Sequence, residues 1–135
     1  MIPKFRAYHH ELGRMMSISD MWFNVDSLGE IGLNDAVMND YITVSPDEIE
    51  LMQSTGLKDE LDEEIFEGDI ILWTYWGEFE DSGRAKIIFD KGVFKLLDIR
   101  TEKEVWDNLF DCIENCNVYL QGNIYENPEL LEDNK

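Results

Sequence analysis

The strongest apolar pattern in the chain runs from Ile70 to Trp76, where β-branched and aromatic residues predominate. In a strand, alternate residues face opposite sides, and here both sides are largely apolar. A small sheet normally turns one face to water. We therefore expect either that a second layer covers this strand or that Trp73, Tyr75 and Trp76 form an interaction surface for another chain.

Shorter runs predict the other strands, because apolar and polar residues alternate within them or β-branched residues dominate. These strands are Phe5–Tyr8, Met15–Val25, Tyr41–Val44, Ala85–Phe89, Val93–Leu97 and Val118–Gln121. Asp90-Lys91-Gly92 predicts a three-residue hairpin loop in which Gly92 has positive φ. Residues 26–40 show no sustained period, and we expect an irregular, variable segment there.

Residues 104–116 predict one short amphipathic helix, since apolar residues recur at helical spacing from Val105 to Cys116. Thr101 and Glu104 have the spacing of a capping box at its start. Near the C-terminus, Asn127-Pro128 predicts a final helical turn before a short tail at 131–135.

The segment Ile49–Thr55 admits two interpretations. Ser45, Pro46 and Glu48 precede it with cap-like spacing, which favours a helix that stops at Gly56. Alternating apolar positions within the segment favour an edge strand equally.

Length and composition predict a soluble single domain over residues 1–135. Hydrophobic residues at 44% and aromatic residues at 12% argue against disorder. No stretch approaches the ~20 apolar residues of a membrane span, and the N-terminus lacks the apolar core of a secretion signal. We expect a cytoplasmic protein with no membrane partner.

The charge is strongly negative, with 30 acidic residues against 11 Lys and Arg and a net charge of −19. Such a chain repels nucleic acid and anionic lipid, so nucleic acid is not an expected partner. Six basic residues face only three acids over residues 84–103, which makes this hairpin the one candidate for weak nucleic-acid binding. The candidate basic patch consists of Arg84, Lys86, Lys91, Lys95 and Arg100. The densest acidic run, residues 59–64, predicts a solvated loop.

Residue types that carry chemistry are sparse. His9-His10 has no further ligand at metal-binding spacing and predicts a solvated turn. Cys112 and Cys116 lie four apart on one helix face, and we expect buried, reduced thiols that pack as small apolar groups. No phosphate-cradling or dinucleotide-binding glycine motif is present. We expect no catalytic residue, no metal, no cofactor and no enzyme activity.

Four segments together resemble the YopX-like family of phage and prophage proteins. They are residues 2–7 (IPKFRA), 51–59 (LMQSTGLKD), 64–70 (EIFEGDI) and 122–130 (GNIYENPEL). The resemblance implies a mainly β protein (β-rich α+β) with a small SH3-like or complex β-barrel and one short helix. It also favours a strand at Ile49–Thr55. It brings no established catalytic activity, and it implies a phage or prophage gene whose product works in the bacterial cytoplasm. The chain departs from the family between Asp59 and Ile65, where the family has a basic, glycine-containing turn.

The function predicted from these observations is a non-catalytic interaction module that is a homo-oligomer or binds a host or phage protein through its aromatic strand. One alternative is an acidic mimic of DNA that inhibits a host DNA-binding enzyme. A globule of this length is about 37 Å across, and that length of duplex carries about 22 phosphate charges. The other alternative is nucleic-acid binding through hairpin 84–103.

Overall fold

The chain is mainly β, as predicted. The computed structural model describes residues 4–24, 27–75 and 78–132, without the side chains of residues 78–81. Within these ranges the strands are β1 (Phe5–His9), β2 (Arg14–Phe23), β3 (Leu28–Asp35), β4 (Asp40–Val44), β5 (Ile49–Lys58), β6 (Glu64–Phe66), β7 (Asp69–Tyr75), β8 (Glu78–Asp90), β9 (Val93–Asp98), β10 (Glu104–Val105) and β11 (Asn117–Asn123). One α-helix, α1 (Leu109–Asn115), and two 3₁₀ turns, Pro46–Glu48 and Pro128–Leu131, complete the described elements.

The chain divides into two compact units, Met1–Gln53 and Ser54–Lys135. Each unit has its own cluster of buried apolar side chains. A single domain over residues 1–135 and an SH3-like barrel stay predictions, since the pairings of the described strands close neither sheet into a barrel. No helix in the described ranges is both long and apolar enough to cross a bilayer.

The first unit is an antiparallel sheet with strand order β4-β3-β2-β1 followed by the first half of β5. Strands β1 and β2 form the predicted hairpin, with Arg6 opposite Ser17. The buried core lies on one face of this sheet and consists of Ala7, Met16, Ile31, Leu33, Val44 and Ile49. At the far end of β2, Phe23 is 70% exposed.

The prediction of an irregular segment at 26–40 is wrong, because β3 occupies Leu28–Asp35. Gly32 interrupts the alternation of apolar and polar residues in β3, and its lack of a side chain leaves space above the sheet. There the Tyr41 hydroxyl donates a hydrogen bond to Asp20 Oδ1 at 2.9 Å. A Cβ atom on Gly32 would overlap both of these side chains. The absence of a side chain at Gly32 therefore permits a bond between β4 and β2.

Ile49–Thr55 is a strand, and the cap-like residues before it form only the 3₁₀ turn. The Ser45 backbone N–H donates to the Glu48 carboxylate at 2.7 Å, which closes that turn. Met52, 2% exposed, is buried within the strand. Gly56 has φ +76, a conformation that a side chain would strain.

The second unit contains the sheet β10-β9-β8-β7-β11. Its core joins one face of this sheet to α1 and includes Ile71, Ile87, Leu96, Cys112 and Val118. The predicted hairpin between β8 and β9 is confirmed, but its loop has two residues rather than three, because Asp90 pairs with Val93. Lys91 and Gly92 have φ of 51° and 82°, the positive values that a type I′ turn requires.

The helix begins later than the predicted 104–116. Glu104 and Val105 pair with β9 instead, and the Thr101 hydroxyl accepts from the Lys103 N–H, within a turn. The cap is Asn108, whose side chain accepts from the Asp111 N–H at 2.8 Å. Thr101 and Glu104 have the spacing of a capping box, but the pairing of Glu104 and Val105 with β9 prevents a helix from starting there.

The acidic run 59–64 is not uniformly solvated. Glu60, Leu61, Asp62 and Glu63 are exposed, but Asp59 is only 8% exposed. Its carboxylate accepts three backbone hydrogen bonds, and the Glu60 N–H donates to the Val118 carbonyl. The loop thereby covers the outer edge of β11.

Candidate interaction site

Three aromatic side chains, here called the aromatic triad, pack against one another near the end of β7. Trp73 and Tyr75 belong to β7, and Trp106 follows β10. The ring centroids of Trp73 lie 6.0 Å from Tyr75 and 5.7 Å from Trp106, both edge to face. Tyr75 and Trp106 are 5.7 Å apart. Such pairs each contribute about 0.5–1.5 kcal/mol beyond the area they bury. Tyr75 is 38% exposed, so the triad reaches the surface.

The indole N–H of Trp73 has no hydrogen-bond acceptor among the described residues, although its nitrogen is buried. The ring lies over Gly83, which is opposite Trp73 on β8. A Cβ on Gly83 would come within 3.1 Å of the indole. An unpaired buried donor costs about 1–3 kcal/mol. Among the described residues, the packing of the triad therefore leaves one buried polar group without a partner.

Trp106 has φ +65, which is unusual for a bulky side chain. Glu102, in the same connection between β9 and α1, also has a positive φ, of 58°. Conformations of this kind cost about 1–3 kcal/mol each and concentrate at functional sites. Strain and an unpaired donor coincide at the triad, which makes it the candidate functional site of the described residues.

The structure explains why both faces of β7 are apolar. Ile70 and Ile71 point to opposite faces, and each is 0% exposed. Thr74 is 3% exposed. Ile70, Ile71 and Thr74 are therefore buried on both sides of β7, whereas Leu72 and Trp73 are half-buried and, of the predicted interaction surface, Tyr75 is exposed. Trp76 lies outside the described residues. Trp106 was not predicted, because nothing in the sequence near it signals a positive φ.

The predicted basic patch is only partly brought together. Arg84, Lys86 and Lys95 share one face of the β8–β9 hairpin, by the register of the strands. Lys91 lies at the turn, and Arg100 lies in the turn after β9. Hydrogen bonds to Glu104 (3.1 Å) and Asp90 (3.4 Å) raise the pKa of Lys95 and partly offset its charge.

The residues considered for metal or thiol chemistry have structural roles. His9 is buried, not solvated as predicted, and its Nδ1 accepts from the Leu12 N–H at 3.1 Å. His10 is exposed and contacts Glu50 at 2.9 Å. No cluster of three or more His, Cys, Asp or Glu in the described ranges is arranged to hold a metal.

Cys112 and Cys116 are buried, as predicted, with their Sγ atoms 3.3 Å apart. Burial raises the pKa of both thiols.

Two antiparallel sheets, one short helix and a strained aromatic triad define a mainly β protein with a candidate docking site. The sequence pattern of the YopX protein family matches residues 4–132, and the chain belongs to this family.

Two solved structures have a similar fold. Protein EF1440 from Enterococcus faecalis is 25% identical, with a TM-score of 0.68 over 98% of this chain and 99% of that one. Protein yopX from Bacillus subtilis is 20% identical, with a TM-score of 0.63 over 96% and 98%. A comparison with curated proteins finds no match.

Proposed function

We propose that this protein is a non-catalytic interaction module that assembles with further copies of itself through the aromatic triad. The proposal is carried by three features that coincide in the triad: the positive φ of Trp106, a Trp73 N–H with no acceptor among the described residues, and a Tyr75 ring that is 38% exposed. Large aromatic side chains are enriched in the buried centres of protein interfaces. A docked chain would remove the exposed ring of Tyr75 from water.

A second copy is the expected occupant, and a host or phage protein is the alternative. Membership in the YopX family supports a phage or prophage origin and work in the cytoplasm of a bacterial host. Because each copy has a net charge of −19, association must overcome long-range repulsion. Salt screens this repulsion, so the assembly should strengthen between about 0.05 and 0.5 M salt.

DNA mimicry is the less favoured function, because it requires carboxylates in rows at the surface. Asp35, Asp59 and Asp69 are at most 8% exposed and serve the fold. Asp69, for example, accepts the Phe66 N–H at 2.7 Å. Nucleic-acid binding through hairpin 84–103 is weakened by the ion pairs of Lys95.

The test is size-exclusion chromatography with light scattering on the wild type and two variants. Tyr75→Ser removes the exposed ring of the triad, and we expect it to shift the protein toward monomer. Phe23→Ser removes a more exposed ring in the first unit and serves as the matched control, which should keep the wild-type mass.

A monomeric wild type at both salt concentrations would overturn self-assembly. Equal dissociation of the two variants would remove the triad from the interface. If the wild type is monomeric, the host-protein alternative is tested by capture from host lysate with wild type against Tyr75→Ser, where loss of a captured protein only in the variant supports it.

A further inference from the structure

A groove of about 360 Å³ lies on the face of the second sheet opposite the triad. Leu72 lines it, and in β7 this residue points away from the side of Trp73. Ile99 adds a second apolar wall. The polar residues of the lining are Ser82, Arg84, Asp98, Arg100 and Glu132.

Arg84 is exposed in this groove and has no ion pair in the described part of the chain. No ion pair among the described residues joins it to the neighbouring Asp98. One Asp98 oxygen, Oδ1, accepts the backbone N–H groups of Arg100 and Thr101, at 2.8 and 3.0 Å. The carboxylate is thus engaged by its own turn. The lining holds two guanidinium groups, of Arg84 and Arg100, and two carboxylates, of Asp98 and Glu132, and Arg84 is the cation that these contacts leave open to a ligand.

Guanidinium groups are planar donors that bind carboxylate and phosphate through paired hydrogen bonds. Pockets for small ligands start near 300 Å³ and combine apolar walls with a few polar groups. The charge of the whole chain repels a small ligand with one or two negative charges far less than an extended polyanion. We propose that the groove binds a small organic oxyanion, with its carboxylate or phosphate on Arg84 and its apolar part against Leu72 and Ile99.

The experiment is a titration of the full chain, followed by NMR chemical shifts, with phenyl phosphate, benzoate and inorganic phosphate as probes. We expect at least one aromatic probe to saturate shifts of residues around the groove, and inorganic phosphate to bind at least threefold more weakly. Which aromatic probe saturates decides between phosphate and carboxylate.

Two variants with equal loss of charge locate the site. Arg84→Gln should weaken binding of the saturating probe tenfold or more. Lys103→Gln removes an exposed charge that has no ion pair among the described residues, and it should change binding less than twofold. If Arg84→Gln does not fold, as judged by circular dichroism, Arg84→Lys takes its place, which keeps the charge but removes the paired donors of the guanidinium.

Absence of saturation by either aromatic probe up to roughly 10 mM would overturn the proposal. An equal effect of Arg84→Gln and Lys103→Gln would also overturn it, since binding would then reflect total charge only. Because the triad lies on the other face, Tyr75→Ser should leave probe binding unchanged, and the two proposals can fail separately.

Discussion

The Asp59 carboxylate accepts a hydrogen bond from the backbone N–H of Leu120 at 2.9 Å, although the two residues are 61 positions apart. The same carboxylate accepts the N–H groups of Leu61 and Glu63, at 3.0 and 2.8 Å. One buried side chain therefore holds the acidic loop in shape and attaches it to β11.

Replacement of the Asp59 carboxylate should lower the stability of the fold. We expect Asp59→Ala to lower the free energy of unfolding by about 3 kcal/mol, because three amides lose a charged partner in a largely buried position. Urea denaturation measures the change. Glu63→Ala, which removes an exposed carboxylate from the same loop, should stay within about 0.5 kcal/mol of wild type. Equal effects would contradict a structural role for Asp59.

A methyl group at Gly32 should disrupt the first unit. Gly32→Ala places a Cβ where the side chains of Asp20 and Tyr41 meet, so their hydrogen bond must break or β3 must shift. We expect a loss of about 1–3 kcal/mol in unfolding free energy. Tyr41→Phe removes only the partly exposed hydroxyl and should cost about 1 kcal/mol or less. If Gly32→Ala left the free energy of unfolding unchanged, the space above this glycine would not be required.

Stability at acid pH should depend on Asp35. The hydrogen bonds from the Arg14 guanidinium lower the pKa of Asp35 below its ordinary value of 3.8. Protonation therefore favours the unfolded chain. The stabilisation is present above the ordinary pKa and is lost as the pH falls through the lower, folded-state value.

The measurement is the difference in unfolding free energy between wild type and Asp35→Asn, taken from about pH 6 to about pH 2. This difference should shrink on acidification. Glu11→Gln makes the same change of charge at an exposed residue and should show no such trend. A constant difference for Asp35→Asn would contradict the lowered pKa.

The two thiols should be unreactive in the folded protein. Burial raises the pKa of Cys112 and Cys116, and only the thiolate attacks a disulfide reagent. With Ellman's reagent at about pH 8, we expect no colour from native protein and two equivalents after denaturation. Rapid release of one equivalent from native protein would show that a thiol is accessible.

Features that depend on neighbouring residues were predictable from the sequence. The positive φ of Gly92 in the β8–β9 hairpin follows from the conformational freedom of glycine, although the length of the loop did not, and the strand beginning near Ile70 follows from its composition. The burial of Cys112 follows from helical spacing. In each case the local pattern and the fold agree.

Features that depend on contacts between distant residues were not predictable from the sequence. Strand β3 was missed because Gly32 interrupts its alternation, and the reason for this glycine is a bond between residues on two other strands. Asp59 looks like any other acid of its run until Leu120 is placed beside it. Trp106 completes the triad in a backbone conformation that no local residue demands.

The pairing of β7 with β11 also has a consequence for synthesis on the ribosome. The outer neighbour of β7 is translated more than forty residues after it, so β7 leaves the exit tunnel with one edge unpaired. The strands β1–β4 of the first unit are already available to pair by then. During this interval the unpaired edge of β7 exposes the nascent chain to aggregation. The interval ends when β11 is synthesised, pairs with β7 and donates the Leu120 N–H to Asp59.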